Sequence, residues 1–255
     1  MKFHTFGSKN NKTIVLIHGV LTPWQIWEEQ IAALKEQFYV VVPALDGHIE
    51  DNSSEYISVE NEAEQIESYI CRELNGEVFA VCGLSMGGVI AYKIFERHNL
   101  HTDFLVLDGA PLVKISFIAE KVMSNAYKSI IHKSKMRNKK TLESFKKDFL
   151  PEKYLESYLK FADTMSDSSV ENMIHSVCAS EFVPSDNKDN TKILFLHGTK
   201  GNEVYSKKAA RIMKKHYPDM TIKCFTGYKH AELAIYKPDE WLEAVRDFIS
   251  SSHCP

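Results

Sequence analysis

The chain has 255 residues, of which 44% are hydrophobic and 25% are charged, and its net charge at pH 7 is −3. This length and apolar content allow one substantial core with room for an insertion. The small negative charge argues against bulk nucleic-acid binding, and no run approaches the roughly 20 apolar residues of a membrane span. Without a signal-like N-terminal stretch, and with five cysteines but no C-x-x-C pair, the chain is expected to be cytoplasmic.

The first predicted elements are a strand and the loop that follows it. Thr13–Ile17 is apolar and rich in β-branched residues, and it ends in His18-Gly19-Val20. The residues before it leave room for about one further edge strand. A helix over residues 24–36 and a strand over residues 39–42 come next, and this alternation predicts a mostly parallel sheet with helices on both faces.

A serine motif follows the next predicted strand, residues 78–82. The chain there reads Gly83-Leu84-Ser85-Met86-Gly87, a G-x-S-x-G motif that leads into a predicted helix over residues 89–97. A serine on a sharp strand-to-helix turn projects its hydroxyl from the sheet, and small residues on either side give that turn room to close. The motif alone is weak evidence, because it recurs by chance in roughly one chain of this length in ten.

The alternation of strands and helices stops after the predicted strand 104–107, which ends at Asp108. Residues 111–190 show helical periodicity and no convincing strand, which indicates a helical insertion; its predicted helices cover residues 116–132, 141–149, 151–164 and 169–180. A strand over residues 192–196, a helix over 205–215 and a last strand over 221–225 complete the pattern. That last strand leads into Gly227-Tyr228-Lys229-His230, where His230 is the natural general base.

Taken together, these motifs resemble the α/β-hydrolase superfamily from about residue 13 to residue 249. A strand with His-Gly, then Gly-Leu-Ser-Met-Gly-Gly, then a late strand with a histidine occur in the order Ser, acid, His that this fold requires. The resemblance implies a core of residues 1–110 and 191–255 and a helical cap over residues 111–190. It also implies Ser85 as nucleophile and the backbone N–H groups of Val20 and Met86 as oxyanion hole.

The triad acid departs from the pattern of the superfamily. Most members carry G-x-x-D after the strand that follows the cap, but here Gly201 stands where aspartate is expected. Glu203, two residues later, is the favoured acid, because its extra methylene helps it reach back. Asp108 is the alternative, because some members place the acid after the preceding strand. Lys229 also departs from the pattern, since glycine usually comes immediately before the histidine.

The helical insertion resembles a lid that selects substrates. Its aromatic and methionine side chains, together with Trp24 of the core, suggest an apolar acyl pocket. The expected substrate contacts are Trp24, Tyr127, Tyr158 and Phe161, and further candidates are Met123, Tyr154, Met165, Met173 and Phe182. A cluster of lysines and Arg137 in the insertion suggests steering of an anionic substrate, although such a run is more often a solvated face.

These features predict a serine hydrolase that cleaves a carboxylic ester or thioester of a small, largely apolar acyl compound through an acyl-enzyme on Ser85. No metal or organic cofactor is implied, and the expected partner is the small-molecule substrate. The same constellation serves C–C bond hydrolases, aminopeptidases and lyases in the superfamily. A ligand-binding protein without turnover is a further alternative, supported by the missing aspartate at Gly201. The oligomeric state is not predicted.

Overall fold

The structure, a computed structural model, describes residues 1–50, 52–186 and 190–251. Residues 252–255 of the predicted core, Cys254 among them, and residues 187–189 of the predicted cap lie outside the described residues.

Seven strands of the described chain form one sheet in the order β1-β3-β2-β4-β5-β6-β7. The edge strand β1 pairs antiparallel with β3, and the other neighbouring pairs are parallel. The predicted mostly parallel sheet, with one short additional edge strand, is therefore confirmed. The strands are β1 (Lys2–Phe6), β2 (Thr13–Ile17), β3 (Tyr39–Ala44), β4 (Glu77–Leu84), β5 (His101–Asp108), β6 (Lys192–His197) and β7 (Thr221–Cys224).

Ten α-helices occur in the described residues. The α-helices are α1 (Glu28–Leu34), α2 (Val59–Leu74), α3 (Met86–Arg97), α4 (Phe117–Lys135), α5 (Lys139–Asp148), α6 (Leu155–Thr164), α7 (Asp167–Ala179), α8 (Glu203–His216), α9 (Glu232–Tyr236) and α10 (Pro238–Ser251), with 3₁₀ turns at Trp24–Trp27 and Glu152–Tyr154. None of these helices is both long and apolar enough to cross a bilayer.

Helices cover both faces of the sheet, which explains why its central strands are apolar throughout. All five residues of β2 and all six of β3 are buried, as expected for strands packed on both sides. The ring of Phe104 in β5 lies 5.7 Å from that of Phe248 in α10, whereas α2 and α3 pack together and α3 packs against β4 and β5. The sheet with its helices thus forms one continuous core.

Four α-helices lie between β5 and β6, where the sequence predicts an insertion, and their bounds fall within a few residues of the predicted ones. Three of them begin at a polar cap: the side chains of Ser116, Asn138 and Ser166 accept backbone N–H groups of the first turn. The insertion has an apolar interior, in which the rings of Phe145 and Tyr158 stack 4.3 Å apart. It is therefore packed and not an open loop.

The topology brings the predicted site residues to one edge of the sheet. Val20, Ser85 and His230 follow β2, β4 and β7, Glu203 begins α8 after β6, and Asp108 ends β5. Since parallel strands all end at the same edge, these side chains meet there although they are far apart in the chain.

Candidate active site

Ser85 sits on a strained turn between β4 and α3. Its φ of 55° lies in the left-handed region, which is costly for a residue with a side chain. The two flanking glycines are required by contacts of the turn: a Cβ on Gly83 would lie 2.1 Å from the carbonyl oxygen of Gly87, and one on Gly87 would lie 2.2 Å from that of Ile17. The backbone N–H of Ser85 donates to the carbonyl of Asp108 at 2.8 Å, which ties the turn to β5.

A chain of hydrogen bonds joins Ser85, His230 and Glu203. Nε2 of His230 lies 2.8 Å from Oγ of Ser85, and Nδ1 lies 2.5 Å from Oε1 of Glu203. In a neutral imidazole, a carboxylate that accepts from Nδ1–H leaves Nε2 to accept the serine O–H. That tautomer is the one that a general base for a hydroxyl needs.

Glu203 is the first residue of α8, and its side chain is only 2% exposed. Its second oxygen, Oε2, accepts the backbone N–H of Gly198 at 2.9 Å, and the helix N-terminus adds favourable positive potential. A side chain at Gly201 would begin in open space, with nothing within 4 Å of its Cβ. The carboxylate that contacts His230 therefore belongs to Glu203 at the start of α8, and position 201 faces open space.

Asp108, the alternative acid, lies at the end of β5 and is 4% exposed. Burial raises the pKa of its carboxyl well above the usual range, and the nearby charge of Glu203 raises it further. Among the described residues its Oδ2 has no hydrogen-bond partner, and His230 bonds to Glu203 instead. The geometry favours Glu203 as the acid, and burial favours the protonated form of Asp108.

Within the described residues, the backbone N–H groups of Val20 and Met86, near Ser85, have no acceptor. The N–H of Gly19 donates to Oγ1 of Thr22 and that of Leu21 to Nε2 of His48. Among the hydrogen bonds of the described residues, none uses the N–H of Val20 or of Met86. Val20 lines the same cavity as Ser85, and Met86 opens α3 directly after it. These are the two donors that the sequence predicts for an oxyanion hole.

Two buried histidines hold the loop that carries Val20. Nε2 of His18 accepts the N–H of Leu45 at 3.2 Å, and Nε2 of His48 accepts that of Leu21 at 3.1 Å. Each Nδ1 faces a backbone carbonyl, so both rings are neutral and donate from Nδ1. Burial lowers the pKa of His18 to about 4 and lowers that of His48 well below its usual range. His18 belongs to the His-Gly motif of the sequence, whereas His48 lies in no such motif.

A cavity of about 400 Å³ opens beside Ser85 and His230. The helical insertion and its flanks supply most of its apolar lining, and the loops after β6 and β7 supply polar side chains. The apolar lining from the insertion is Pro111, Ile115, Met123, Tyr127, Phe149, Ile174 and Val177; the polar residues of the two loops are Lys200, Asn202 and Lys229. Of the aromatic and methionine residues singled out in the sequence, Met123 and Tyr127 are in this described lining.

The structure places the other three predicted substrate contacts away from the cavity. The Trp24 indole stacks on the ring of His4 in the edge strand, 4.1 Å away. Tyr158 is fully buried inside the insertion, where its hydroxyl bonds to that of Ser134. Phe161 is also fully buried, and its ring lies 5.0 Å from that of His48. Helical periodicity marks Tyr158 and Phe161 as buried, but it does not separate the interior of the insertion from the cavity wall.

Within the described chain, no group of three or more histidine, cysteine, aspartate or glutamate side chains has the arrangement to hold a metal ion.

The family of the chain follows from a match to a family model. The model described as serine aminopeptidase, S33, matches residues 8–234, most of the sequence. The chain belongs to this family of α/β-hydrolases. It is therefore a hydrolase enzyme, and the fold inferred from its motifs is confirmed.

Solved structures share the fold over nearly the whole chain. An α/β-hydrolase family protein from Desulfitobacterium hafniense has a TM-score of 0.75 at 20% identity, covering 97% of this chain and 100% of that one. An esterase from a marine microorganism has a TM-score of 0.74 at 20% identity, with 97% and 98% covered. An enol-lactonase from Burkholderia xenovorans has a TM-score of 0.71 at 17% identity, with 98% and 96% covered.

A sequence relative matches over a shorter range. The 3-oxoadipate enol-lactonase 1 of Acinetobacter baylyi is 35% identical over 85 residues. That match spans 33% of this chain and 32% of the relative, so the chain aligns with about a third of the length of this curated relative.

Proposed function

We propose that this enzyme is a serine hydrolase that cleaves a carboxylic ester or thioester of a small, largely apolar acyl compound. The observation that carries the proposal is the hydrogen-bonded chain from Oγ of Ser85 through His230 to Glu203 at the floor of an apolar cavity. The nucleophile and the orienting carboxylate each lie within hydrogen-bond reach of the base, which is the geometric requirement for activating a serine.

In the first half of the reaction, Oγ of Ser85 bonds to the carbonyl carbon of the substrate while its proton passes to Nε2 of His230. Glu203 holds the imidazole by Nδ1 and stabilises the positive charge that it acquires. The carbonyl oxygen becomes negative, and the free N–H groups of Val20 and Met86 donate to it. The bond to the leaving group then breaks, and His230 returns its proton to the departing oxygen or sulfur.

In the second half, water replaces the leaving group. His230 takes a proton from the water as its oxygen bonds to the acyl carbon, the same N–H groups hold the second oxyanion, and the bond to Oγ of Ser85 breaks. Ser85 recovers its proton from His230, and a carboxylic acid leaves. Each half therefore uses the same five groups, and water is the only reactant besides the substrate.

The cavity supports an acyl group of modest size. Its walls from the insertion are aliphatic, thioether and aromatic side chains, so burying an acyl chain among them is favourable by about 0.8 kcal/mol for each methylene. The names of two relatives also favour an ester bond, since both are called enol-lactonases and a lactone is a cyclic ester. We further propose that the helices of residues 111–190 act as the cap that forms the substrate pocket.

A non-catalytic binding protein is the alternative from another class, and its main argument was the missing aspartate at Gly201. That argument weakens, because Oε1 of Glu203 lies within hydrogen-bond distance of Nδ1 of His230, which supports Glu203 as the acid. The alternative still makes a different prediction: a binder takes up one equivalent of ligand and releases no product, whereas an enzyme turns over many equivalents.

The proposal is tested with p-nitrophenyl esters of acetate, butyrate and octanoate and with a butyryl thioester, using the wild type and Ser85→Ala. We expect many turnovers by the wild type, a preference for the middle chain length, and at least about a 10³-fold lower kcat in the variant. Hydrolysis by Ser85→Ala at the wild-type rate would contradict the role of Ser85. Binding of an ester without turnover by the folded wild type would favour the non-catalytic alternative.

A further inference from the structure

His48 contacts three parts of the molecule that are distant in the chain. It lies between β3 and α2 and is 1% exposed. Its Nε2 accepts the N–H of Leu21 at 3.1 Å, in the loop after β2. Its Nδ1 lies 3.2 Å from the carbonyl oxygen of Asp46, and its ring lies 5.0 Å from that of Phe161 in α6. The ring therefore links the loop that carries Val20 to the helical insertion.

The hydrogen bond to His48 supports a strained part of the loop after β2. Leu21 is fully buried, and its φ of 53° lies in the left-handed region, which is costly for a residue with a side chain. Such a conformation persists only where the surroundings hold it. A buried N–H without an acceptor is also costly, and the acceptor here is His48. Since Leu21 directly follows Val20, the same bond limits how the N–H of Val20 can turn.

The insertion holds the loop between β3 and α2, in which this histidine lies. Oγ1 of Thr164, the last residue of α6, donates to the carbonyl of Asn52 at 2.9 Å. Oγ of Ser169, in the first turn of α7, accepts the N–H of Tyr56 at 3.0 Å. Phe161 lies one turn before Thr164, is fully buried, and contributes the ring that packs near the histidine. Two helices of the insertion therefore fix this loop.

These contacts form a path from the insertion to the reacting atoms. Building on the proposed function, we infer that the insertion takes part in the chemical step: Phe161 holds His48, and His48 positions the N–H of Val20 for the oxyanion. His48 is outside the described lining of the cavity, so it is a positioning residue that acts through the loop after β2. The insertion then contributes to transition-state stabilisation as well as to the acyl pocket.

Two amide variants separate the hydrogen bonds of His48. In His48→Gln the side-chain oxygen reaches about the position of Nε2 and can accept the N–H of Leu21. In His48→Asn the shorter side chain places its amide at about the position of Nδ1, where it can donate to the carbonyl of Asp46. Leu21 is then left without an acceptor. Both variants lose the ring, so the difference between them measures the bond to Leu21.

An ester and its thionoester report on the oxyanion donors. The probes are 4-nitrophenyl butyrate and the 4-nitrophenyl ester of thionobutyric acid, in which sulfur replaces the carbonyl oxygen. Sulfur accepts hydrogen bonds weakly, so the N–H groups of Val20 and Met86 stabilise the transition state of the thionoester less. The ratio of kcat/KM for the ester to that for the thionoester therefore measures oxyanion stabilisation. A variant with less folded protein loses both activities equally and keeps the ratio.

We expect His48→Asn to lower kcat for the ester by about 10- to 100-fold, less than the loss of a whole oxyanion donor, and to lower the ratio at least about 5-fold. His48→Gln should keep the ratio within about 3-fold of the wild type. Phe161→Leu leaves space beside His48 and should lower the ratio about 2- to 5-fold. The matched control is Phe182→Leu, also in the insertion, where the ring packs near Tyr92 and Tyr217; it should leave the ratio unchanged.

Thermal melts verify that the variants fold, and Phe161→Leu, the milder change, provides the test if His48→Asn does not fold. Equal ratios in the two amide variants would overturn the inference, while Ser85-dependent hydrolysis of the ester would keep the proposed function. A wild-type ratio in Phe161→Leu would overturn the part assigned to the insertion. Failure of the folded wild type to hydrolyse the ester would overturn the proposed function, and this inference with it.

Discussion

Replacing Glu203 by glutamine should impose the wrong tautomer on His230. The carboxylate now accepts two N–H groups, from Nδ1 of His230 and from the buried backbone of Gly198. Glutamine offers one oxygen and one NH₂ group. If its oxygen stays on Gly198, its NH₂ faces Nδ1, the imidazole proton moves to Nε2, and Nε2 can no longer take the proton of Ser85. If the oxygen instead faces Nδ1 of His230, the NH₂ group faces the backbone N–H of Gly198, and these two donors have no acceptor between them.

The size of the effect follows from these contacts. Leaving the buried N–H of Gly198 against a donor costs about 1–3 kcal/mol, and this energy holds the glutamine in the orientation that gives the wrong tautomer. Removing the charge that faces the imidazolium adds about 1.5–3 kcal/mol, the contribution of a hydrogen bond to a charged group. The sum of about 2.5–6 kcal/mol corresponds to a fall in kcat of about 10²- to 10⁴-fold.

The matched control is Asp108→Asn. Burial raises the pKa of Asp108 well above its usual range, which favours the protonated carboxyl, and asparagine is close to that form in shape and charge. We expect kcat on p-nitrophenyl butyrate to change by less than about 10-fold in this variant, against the much larger loss in Glu203→Gln. Thermal melts verify that both variants fold. The reasoning is refuted if Asp108→Asn collapses turnover and Glu203→Gln does not.

Three further predictions concern stability and the cavity. Because the pKa of His18 is about 4 when folded and 6.5 when unfolded, the contribution of His18 to the unfolding free energy should be constant above pH 6.5 and fall by about 3 kcal/mol toward pH 4. Urea titrations should therefore show a weaker pH dependence of the unfolding free energy in His18→Asn, and an equal pH dependence in the wild type and the variant would contradict this. Gly83→Ala forces a Cβ to within 2.1 Å of the carbonyl oxygen of Gly87, so we expect the unfolding free energy to fall by about 3 kcal/mol or more. In the control Gly201→Ala it should fall by about 1 kcal/mol. Similar melting temperatures of the two variants would contradict this. Met123→Ala should lower kcat/KM for the butyrate ester about 10-fold more than for the acetate ester, and equal losses would remove Met123 from the acyl pocket.

The sequence predicts the fold well because its signals are local. The apolar run of β2, the glycines around Ser85 and the capped helices of the insertion each specify their element within a few residues of the chain. The order of these elements, together with the right-handed crossovers of parallel sheets, then decides where the loops meet. Ser85 and His230 therefore come together as the motifs predict, and their hydrogen bond is present in the structure.

The rest of the site depends on contacts that the sequence does not encode locally. Choosing between Glu203 and Asp108 needs the path of the loop after β6, which is set by its bonds to Tyr228 and by the first turn of α8. Local sequence signals do not predict which residues line the cavity either. The indole of Trp24 stacks on His4 of β1 and is not part of the described cavity lining. Lys200 is part of that lining, although its loop carries no binding motif.

The most direct test of the central claim, that Ser85 is an activated nucleophile, is intact-mass analysis after treatment with a fluorophosphonate probe. The wild type should gain the mass of one adduct. Ser85→Ala, shown to be folded by circular dichroism, should gain none. Glu203→Gln should label far more slowly than Asp108→Asn, since the probe reacts with the same serine. A folded wild type without an adduct, or an adduct of equal yield in Ser85→Ala, would contradict the claim.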